Sequence, residues 1–139
     1  MDKCHAKGAI SELKAQAWFL SKGYQVFTPV VQQGVIDFAV YKDKEFKSVQ
    51  VKSAYYCVSG HYKYITCRLG RSGPGSRQNI VTRAYDYDSS NDFFDILFVV
   101  FEERKWLIPR DEIPRNKKTL YFNEKTRNIG YNPNSWVVE

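Results

Sequence analysis

Long apolar runs are missing from this chain: no stretch approaches the roughly 18 residues that a membrane-spanning helix needs. The N-terminus also lacks the charged start and apolar centre of a secretory signal. We therefore expect a cytoplasmic protein without a membrane partner. Cysteine is scarce as well, since Cys4, Cys57 and Cys67 are odd in number and lack the close paired spacing of zinc ligands. The sequence thus indicates neither a disulfide framework nor structural zinc.

Acidic residues are absent from residues 46–85, which we call the acid-free segment. Over the whole chain 21 Lys and Arg oppose 15 Asp and Glu, for a net charge of +6, so this segment is the most uniformly positive part. Its basic residues alternate with tyrosines, whose rings and hydroxyls can contact sugars and phosphates. The segment is either a nucleic-acid interface or a solvated basic face. In the first interpretation, the DNA-contacting candidates are Lys47, Tyr55, Tyr56, Lys63, Arg68, Arg71, Arg77 and Arg83.

Size and composition predict a single folded domain over residues 1–139. Hydrophobic residues make up 43% of the chain and charged residues 26%, which is typical of a soluble globular protein and not of a disordered one. A chain of this length can bury a real core but is too short to divide comfortably into two.

One helix is predicted near the N-terminus, over about residues 6–22. Apolar residues recur there at helical spacing, and Gly23 stands where a helix would end. The recurring apolar residues are Ile10, Leu13, Ala17 and Leu20.

Strands are predicted over most of the remaining chain. Residues 35–41 and 46–54 flank a short charged segment and so predict a β-hairpin, with 62–69 as a third pairing partner. Residues 70–76 hold glycines and a proline and predict a mobile basic loop. Residues 93–101, the most apolar run, predict a central buried strand. Shorter strands are predicted at 24–29 and 105–109, and the class is α/β, an N-terminal helix on a mixed, largely antiparallel sheet.

Polar residues interrupt the apolar pattern of the predicted hairpin. Gln50 and Lys52 lie two apart and share one face of a strand, while Asp37 lies on the other arm, so the three can converge. Phosphodiester hydrolysis needs a metal held by oxygen ligands and positive charge beside the reacting phosphate. Asp37, the Gln50 side chain and the Val51 carbonyl can supply oxygens, Glu12 can add a carboxylate, and Lys52 can supply the charge. Such spacing also arises by chance.

Several motifs follow one another in a fixed order. They are Lys7-Gly8, Glu12, Gly23, Gly34-Val35-Ile36-Asp37, Val49-Gln50-Val51-Lys52, Asp92-Phe93-Phe94-Asp95 and Trp106-Leu107-Ile108-Pro109. The order and spacing of the motifs up to Lys52 resemble the PD-(D/E)XK nuclease core, as it occurs in archaeal Holliday-junction resolvases and in homing endonucleases of bacterial group I introns. The last two motifs resemble later strands of the intron-encoded branch. The resemblance covers about residues 5–114. The remainder, 115–139, is expected to pack on the core or contact DNA.

This resemblance implies a core of αβββαβ order and dependence on Mg²⁺, with Mn²⁺ expected to substitute. It implies that Asp37 binds metal, that Lys52 assists the attacking water and that Glu12 completes the site. The chain departs from the family pattern at Ile36, where a proline is usual, and at Gln50, where an acidic residue is usual. The glutamine is itself a mark of the intron-encoded branch.

The function implied is site-specific double-strand cleavage of DNA by an intron homing endonuclease. Because one small protomer carries one catalytic cluster, cutting both strands implies a homo-oligomer, a dimer or a tetramer. Two alternatives stay open, a resolvase that selects four-way junctions and a DNA-binding module without catalysis.

Overall fold

The computed structural model describes residues 3–32, 34–74, 80–86, 88–115, 118–122 and 136–139. The α-helix in these ranges, α1, spans Lys3–Ser21 and begins about one turn before the predicted start. Gly23 ends it as predicted: its φ of 88° is one that side-chain-bearing residues rarely adopt. The N–H of Tyr24 then donates to the carbonyl of Phe19 at 3.1 Å, which satisfies a carbonyl at the helix terminus.

The face of α1 that packs on the protein is not its most apolar face. Ser11, Ala15 and Phe19 are buried, whereas Leu13 and Leu20 are exposed. Residues spaced by four lie above one another on a helix, so the buried trio forms one stripe. The apolar recurrence that predicts the helix therefore marks its outer surface.

The described strands are numbered here in chain order. They are β1 (Gln25–Phe27), β2 (Phe38–Lys42), β3 (Glu45–Ser53), β4 (Tyr55–Ser59), β5 (Tyr62–Arg68), β6 (Arg71–Pro74), β7 (Ile80–Arg83), β8 (Ile96–Phe101), β9 (Arg104–Pro109), β10 (Thr119–Tyr121) and β11 (Val137–Val138).

The central sheet has six strands in the order β1-β2-β3-β8-β9-β11. Only the pair β3 and β8 is parallel, and the other neighbours are antiparallel. One helix on a mixed, mostly antiparallel sheet confirms the predicted fold class. Among the described residues, no helix combines the length and apolar character that a membrane crossing requires.

The β2–β3 hairpin and the central strand β8 are confirmed with shifted bounds. The hairpin tip is formed by Asp43 and Lys44, whose φ angles of 52° and 67° suit a tight two-residue turn between antiparallel strands. All six residues of β8 are buried, because β3 and β9 flank it and both faces of the sheet are covered. It begins at Ile96 and not at residue 93, since Ser90–Asp92 form a 3₁₀ turn just before it.

Three sequence predictions are wrong. Strand β5 pairs with β4 and β10 in a separate three-stranded sheet and not with the hairpin, because β4 is its immediate neighbour in the chain. Within the predicted loop 70–76, Arg71–Pro74 form β6, paired with β7, where a two-stranded ribbon tolerates Pro74 at its end. The second helix of an αβββαβ core is absent from the described residues between β3 and β8, where β4 to β7 make the crossover.

The two faces of the central sheet bury separate cores. On the α1 side, Phe19 packs with Phe38 and Phe98, with ring centroids 5.8 and 5.4 Å apart. On the opposite side, Leu97 and Trp106 pack beneath the three-stranded sheet. Gln50 and Lys52 project toward this second side, because side chains alternate along a strand and Val49 and Val51 face α1.

Candidate active site

Asp37 lies where the β2–β3 ladder ends. Its N–H donates to the carbonyl of Val49 at 2.9 Å, although Val49 is already the partner of Phe38. Two residues of one strand therefore face one residue of the other, which is the arrangement of a β-bulge and re-aims the first side chain. The Asp37 carboxylate then accepts the N–H of Val51 at 2.7 Å through Oδ2. This carboxylate oxygen takes the place of a backbone carbonyl, which β3 lacks on this edge beyond the end of β2.

The Val51 N–H points toward the Asp37 carboxylate, at the edge of β3 beyond the end of β2. The Val51 carbonyl is therefore directed to the same edge of β3. The Val51 carbonyl accepts a hydrogen bond from Nε2 of Gln50 at 3.3 Å. The other amide atom, Oε1 of Gln50, is buried and has no hydrogen-bond partner in the described part of the chain. An unpartnered oxygen in a protein interior is unfavourable, so this atom is suited to a ligand that supplies positive charge.

The charge balance at Asp37 also calls for a cation. The pKa of the Asp37 carboxyl is raised from 3.8 to about 6, mainly by burial and in part by the nearby charge of Glu12. The hydrogen bond from Val51 and the charge of Lys52 lower this pKa but do not offset burial. Glu12 is half-buried on α1 and also accepts a long hydrogen bond, 3.4 Å, from Gln32. The carboxylates of Asp37 and Glu12 therefore share one site that is partly shielded from water.

Lys52 is the cation of this cluster. Burial lowers its pKa, while the charges of Cys67 and Asp37 raise it. The Cys67 thiol is wholly buried, and this burial raises its pKa to about 12. The thiol is therefore protonated near neutral pH, and the negative charge that Lys52 meets there is that of Asp37.

Two contacts fix α1 against the end of β3 and so set the position of Glu12. The hydroxyls of Ser11 and Ser53 lie 2.6 Å apart, and the Lys7 ammonium donates to the carbonyl of Ala54 at 3.4 Å. The sequence reasoning assigned neither serine a role. The spacing of four between Lys7 and Ser11 is the signal that places both on one helix face.

Tyr85 is a further residue near the site that the sequence reasoning did not assign to it. Its side chain is buried, and this burial raises the pKa of its hydroxyl. The charges of Cys67 and Asp37 add to this increase. The Tyr85 hydroxyl therefore stays protonated near neutral pH.

The site suits a hard divalent cation bound by oxygen. Within the described ranges no three His, Cys, Asp or Glu residues cluster in a way that could hold a metal. A metal here would be held by the carboxylates of Asp37 and Glu12, Oε1 of Gln50 and the carbonyl of Val51. Mixed carboxylate and carbonyl sets of this kind are those that Mg²⁺ and Ca²⁺ accept. The unpartnered Gln50 oxygen and the raised Asp37 pKa are the features that fit such a cation.

The DNA-contacting candidates fall into separate groups. On the three-stranded sheet, Nε of Arg68 donates to the hydroxyl of Tyr55 at 3.1 Å, and Lys63 is exposed. Tyr56 packs edge-on against Phe101, with ring centroids 5.0 Å apart, and remains largely exposed. These residues share one small sheet beside the site.

The structure places the other described DNA-contacting candidates outside this three-stranded sheet. Arg71 and Arg83 are backbone partners across the β6–β7 ribbon, and Arg77 lies outside the described residues. Lys47 is on the α1 side of β3, opposite to Gln50, and its ammonium lies 3.8 Å from Glu45. The structure therefore does not bring Lys47 together with Lys52.

Among known proteins, the chain is similar to a protein family, a phage protein and a solved structure. A family model described as PD-(D/E)XK endonuclease matches residues 2–137. Protein 5.3 of Escherichia phage T7 is 30% identical over 129 residues, which is 93% of this chain and 98% of that protein. The solved structure of the bacterial homing endonuclease I-Ssp6803I superimposes with a TM-score of 0.73 at 24% identity, over 94% of this chain and 88% of that one.

Proposed function

Because the chain belongs to the PD-(D/E)XK endonuclease family, we propose that it is a metal-dependent enzyme that cuts both strands of a DNA duplex at a specific site. Nucleases of this family generally use divalent metal ions. The structural neighbour, with which this chain shares its fold, is a homing endonuclease. Intron homing is therefore the biological role that we assign to the cleavage, with residues 1–139 acting as one nuclease domain.

One observation supports this proposal above the others, the buried Oε1 of Gln50 that lacks a partner beside the Asp37–Val51 hydrogen bond. In a protein that only binds DNA, nothing would require an unpartnered amide oxygen at this place. A leucine would fill the space without the penalty of burying a polar atom. The glutamine is explained if its oxygen serves as a neutral metal ligand.

We assign Mg²⁺ as the metal, with Mn²⁺ as a substitute, held by Asp37, Glu12, Gln50 and the Val51 carbonyl. When bound, such a cation lowers the pKa of water and offsets the negative charge that develops on the phosphate. The chain's own contribution is to hold these oxygens in place. The Val51 N–H fixes Oδ2 of Asp37, and the Ser11–Ser53 contact fixes the helix that carries Glu12.

We assign to Lys52 the role of supplying positive charge beside the reacting phosphate. Its pKa is lowered by burial, so its ammonium is poorly hydrated and interacts more strongly with a nearby anion than an exposed lysine would. In this role Lys52 orients the attacking water and stabilises the phosphate as negative charge grows on it. The charge of Asp37 favours the protonated form of this lysine.

DNA would be held by the exposed side of the three-stranded sheet and by the β6–β7 ribbon. The pair formed by Tyr55 and Arg68 presents a guanidinium that is already oriented, whereas Lys63 lies on the same strand but on the opposite face. Arg71, Arg77 and Arg83 extend the positive charge along the same segment of sequence. Contacts to phosphates give affinity, and arginine contacts to base edges give specificity.

A cleavage screen tests the proposal. The protein would be incubated with Mg²⁺ and a library of linear duplexes, with a four-way junction in parallel. We expect cleavage of a few duplex sequences in both strands and no preference for the junction. Sequence-independent cutting of the junction would favour a resolvase. Binding without cleavage under Mg²⁺ and Mn²⁺ would refute the enzyme assignment.

A further inference from the structure

Three aromatic side chains form a cluster on the side of the central sheet that faces away from α1. Phe46 contacts Tyr41, its cross-strand partner, with ring centroids 4.5 Å apart, and Phe27 lies 5.6 Å from Phe46 by the same measure. We call these residues the aromatic triad. Phe46 is 65% exposed, Phe27 is 46% exposed and Tyr41 is half-buried. The triad therefore belongs to neither core and meets solvent.

The triad shares this face of the sheet with the catalytic cluster. Side chains alternate along a strand, so Phe46 projects from β3 on the same side as Gln50 and Lys52. A strand rises about 3.3 Å per residue, which sets Phe46 about 13 Å from Gln50 along β3. One strand of duplex DNA advances about 3.4 Å per nucleotide, so this distance corresponds to about four nucleotides. A DNA strand held at the active site therefore reaches the triad if it follows β3.

The part of the sheet face that carries the triad is open and has no acidic side chain. The three-stranded sheet packs over β8 and β9, and within the described residues neither β1 nor β2 adds a side chain to the core beneath it. Glu45 projects from the opposite face, beside Lys47. By strand alternation, the open face consists of Gln25 and Phe27 of β1, Ala39 and Tyr41 of β2, and Phe46, Ser48, Gln50 and Lys52 of β3. A phosphate chain that lies between the triad and Lys52 therefore meets no carboxylate of these strands.

Exposed aromatic rings on a sheet face suit unpaired bases better than a duplex. In a duplex the bases are stacked on one another, so the grooves present base edges and not base faces. An unpaired base exposes its face and stacks on an aromatic ring whatever its identity. Cross-strand packing accounts for the contact between Tyr41 and Phe46, but not for the exposure of Phe27 and Phe46 on the face that carries the active site.

We propose that the aromatic triad stacks on unpaired bases of the DNA strand that flanks the cut. These bases would come from a duplex that is opened next to the scissile phosphate, so the triad favours substrates that are open there. The binding of unpaired bases stands on the triad alone, whereas its part in cleavage rests on the proposed function.

Binding of single-stranded DNA in the absence of metal tests the stacking. Two fluorescently labelled strands of about 12 nucleotides, a length within the usual range of a stacking site, would be titrated with the whole protein and followed by anisotropy. One strand is oligothymidine, and the other has the same backbone and charge but no bases. We expect oligothymidine to bind at least about tenfold more tightly, because only bases can stack on the rings. Equal affinities for the two strands would overturn the inference.

Variants of Phe46 locate the contact. Phe46→Leu keeps an apolar side chain but removes the ring, so it should weaken oligothymidine binding at least about tenfold more than it weakens the binding of a non-target duplex. Phe46→Trp keeps a ring and should bind like the parent, and the fluorescence of the added indole should fall when a base stacks on it. Phe93→Leu is the matched control, because Phe93 is 48% exposed and lies outside the triad, and it should bind oligothymidine like the parent.

Other uses of the triad give different results, and each would overturn the inference. If Phe46→Leu binds oligothymidine like the parent, the rings serve only as cross-strand packing. If the variant loses affinity for the duplex to the same extent, the rings contact paired DNA. If the parent sediments as a dimer that Phe46→Leu dissociates, and both bind oligothymidine equally, the rings contact a second copy of the chain.

Cleavage of opened duplexes separates this inference from the proposed function. Two substrates would carry about four mismatched pairs, one on each side of the cut in turn, and a fully paired duplex is the reference. We expect the parent to cut one opened substrate at least about tenfold faster than the paired duplex, and we expect Phe46→Leu to lose this advantage. If no substrate is cut, the proposed function fails while the binding titrations still decide the stacking. If Phe46→Leu keeps the advantage, the role of the triad in cleavage is wrong.

Discussion

Replacing Gln50 by leucine should make the protein more stable and inactive at once. The amide donates a single long hydrogen bond, 3.3 Å to Val51, which contributes only about 0.5 kcal/mol. The unpartnered Oε1 costs about 1–3 kcal/mol in lost hydration. Leucine removes both at nearly the same volume. The free energy of unfolding should therefore rise by about 1–2 kcal/mol.

Cleavage by the same variant should fall by about 10²–10³, the usual loss when one stabilising polar group is removed from an active site. Gln50→Glu keeps the oxygen and adds a charge, so it should keep cutting and bind Mg²⁺ more tightly. Gln25→Leu on exposed β1 is the control for the loss of a glutamine elsewhere and should cut like the parent. Urea unfolding and single-turnover cleavage against Mg²⁺ concentration measure the two effects. Should Gln50→Leu cut like the parent or unfold more easily, Gln50 is a packing residue and this reasoning is wrong.

The remaining predictions concern pH and salt. Because the pKa of Asp37 is raised to about 6 in the fold and is 3.8 ordinarily, the folded protein holds this proton more tightly, and its stability falls as pH rises between these values. Asp37→Asn should thus be more stable than the parent at pH 7, by about 2 kcal/mol after allowing for the partial exposure of the carboxyl to water. In urea titrations this difference in the free energy of unfolding should vanish near pH 4. An equal difference at both pH values would contradict the prediction. DNA affinity should fall with salt, and each of Arg68→Ala, Arg71→Ala and Arg83→Ala should reduce the slope of log K against log salt by about 0.9 per lost phosphate contact. Unchanged slopes would show that the acid-free segment is a solvated face.

The hairpin and the convergence of its polar residues were predictable because their causes are local. The charged tip at Asp43 and Lys44 fixes the register of β2 and β3, and strand alternation then puts Gln50 and Lys52 on one face. The bulge that directs Asp37 to Val51 was not predictable, because it depends on where β2 leaves the sheet.

The pairing partners of some strands could not be predicted from the sequence pattern, even where the two strands are neighbours in the chain. Residues 62–68 have the composition of a strand, but composition does not say which strand is the partner, and β5 pairs with β4 and β10. Helical spacing likewise identified α1 but not which face is buried. The exposed residues Ile10, Leu13 and Leu20 are more apolar than the buried Ser11 and Ala15. Only the fold shows that the face of Ser11 and Ala15 contacts the sheet.

The central claim is that Asp37 holds a metal that is needed to cut DNA. The most direct test compares the parent, Asp37→Asn and Asp43→Asn on a cleaved duplex in Mg²⁺, with binding measured in Ca²⁺. Asp43 is a matched carboxylate at the exposed hairpin tip, far from the site in the register of β2 and β3. We predict that Asp37→Asn loses cleavage by at least about 10²-fold while binding DNA like the parent, and that Asp43→Asn cuts normally. Undiminished cutting by Asp37→Asn would contradict the account.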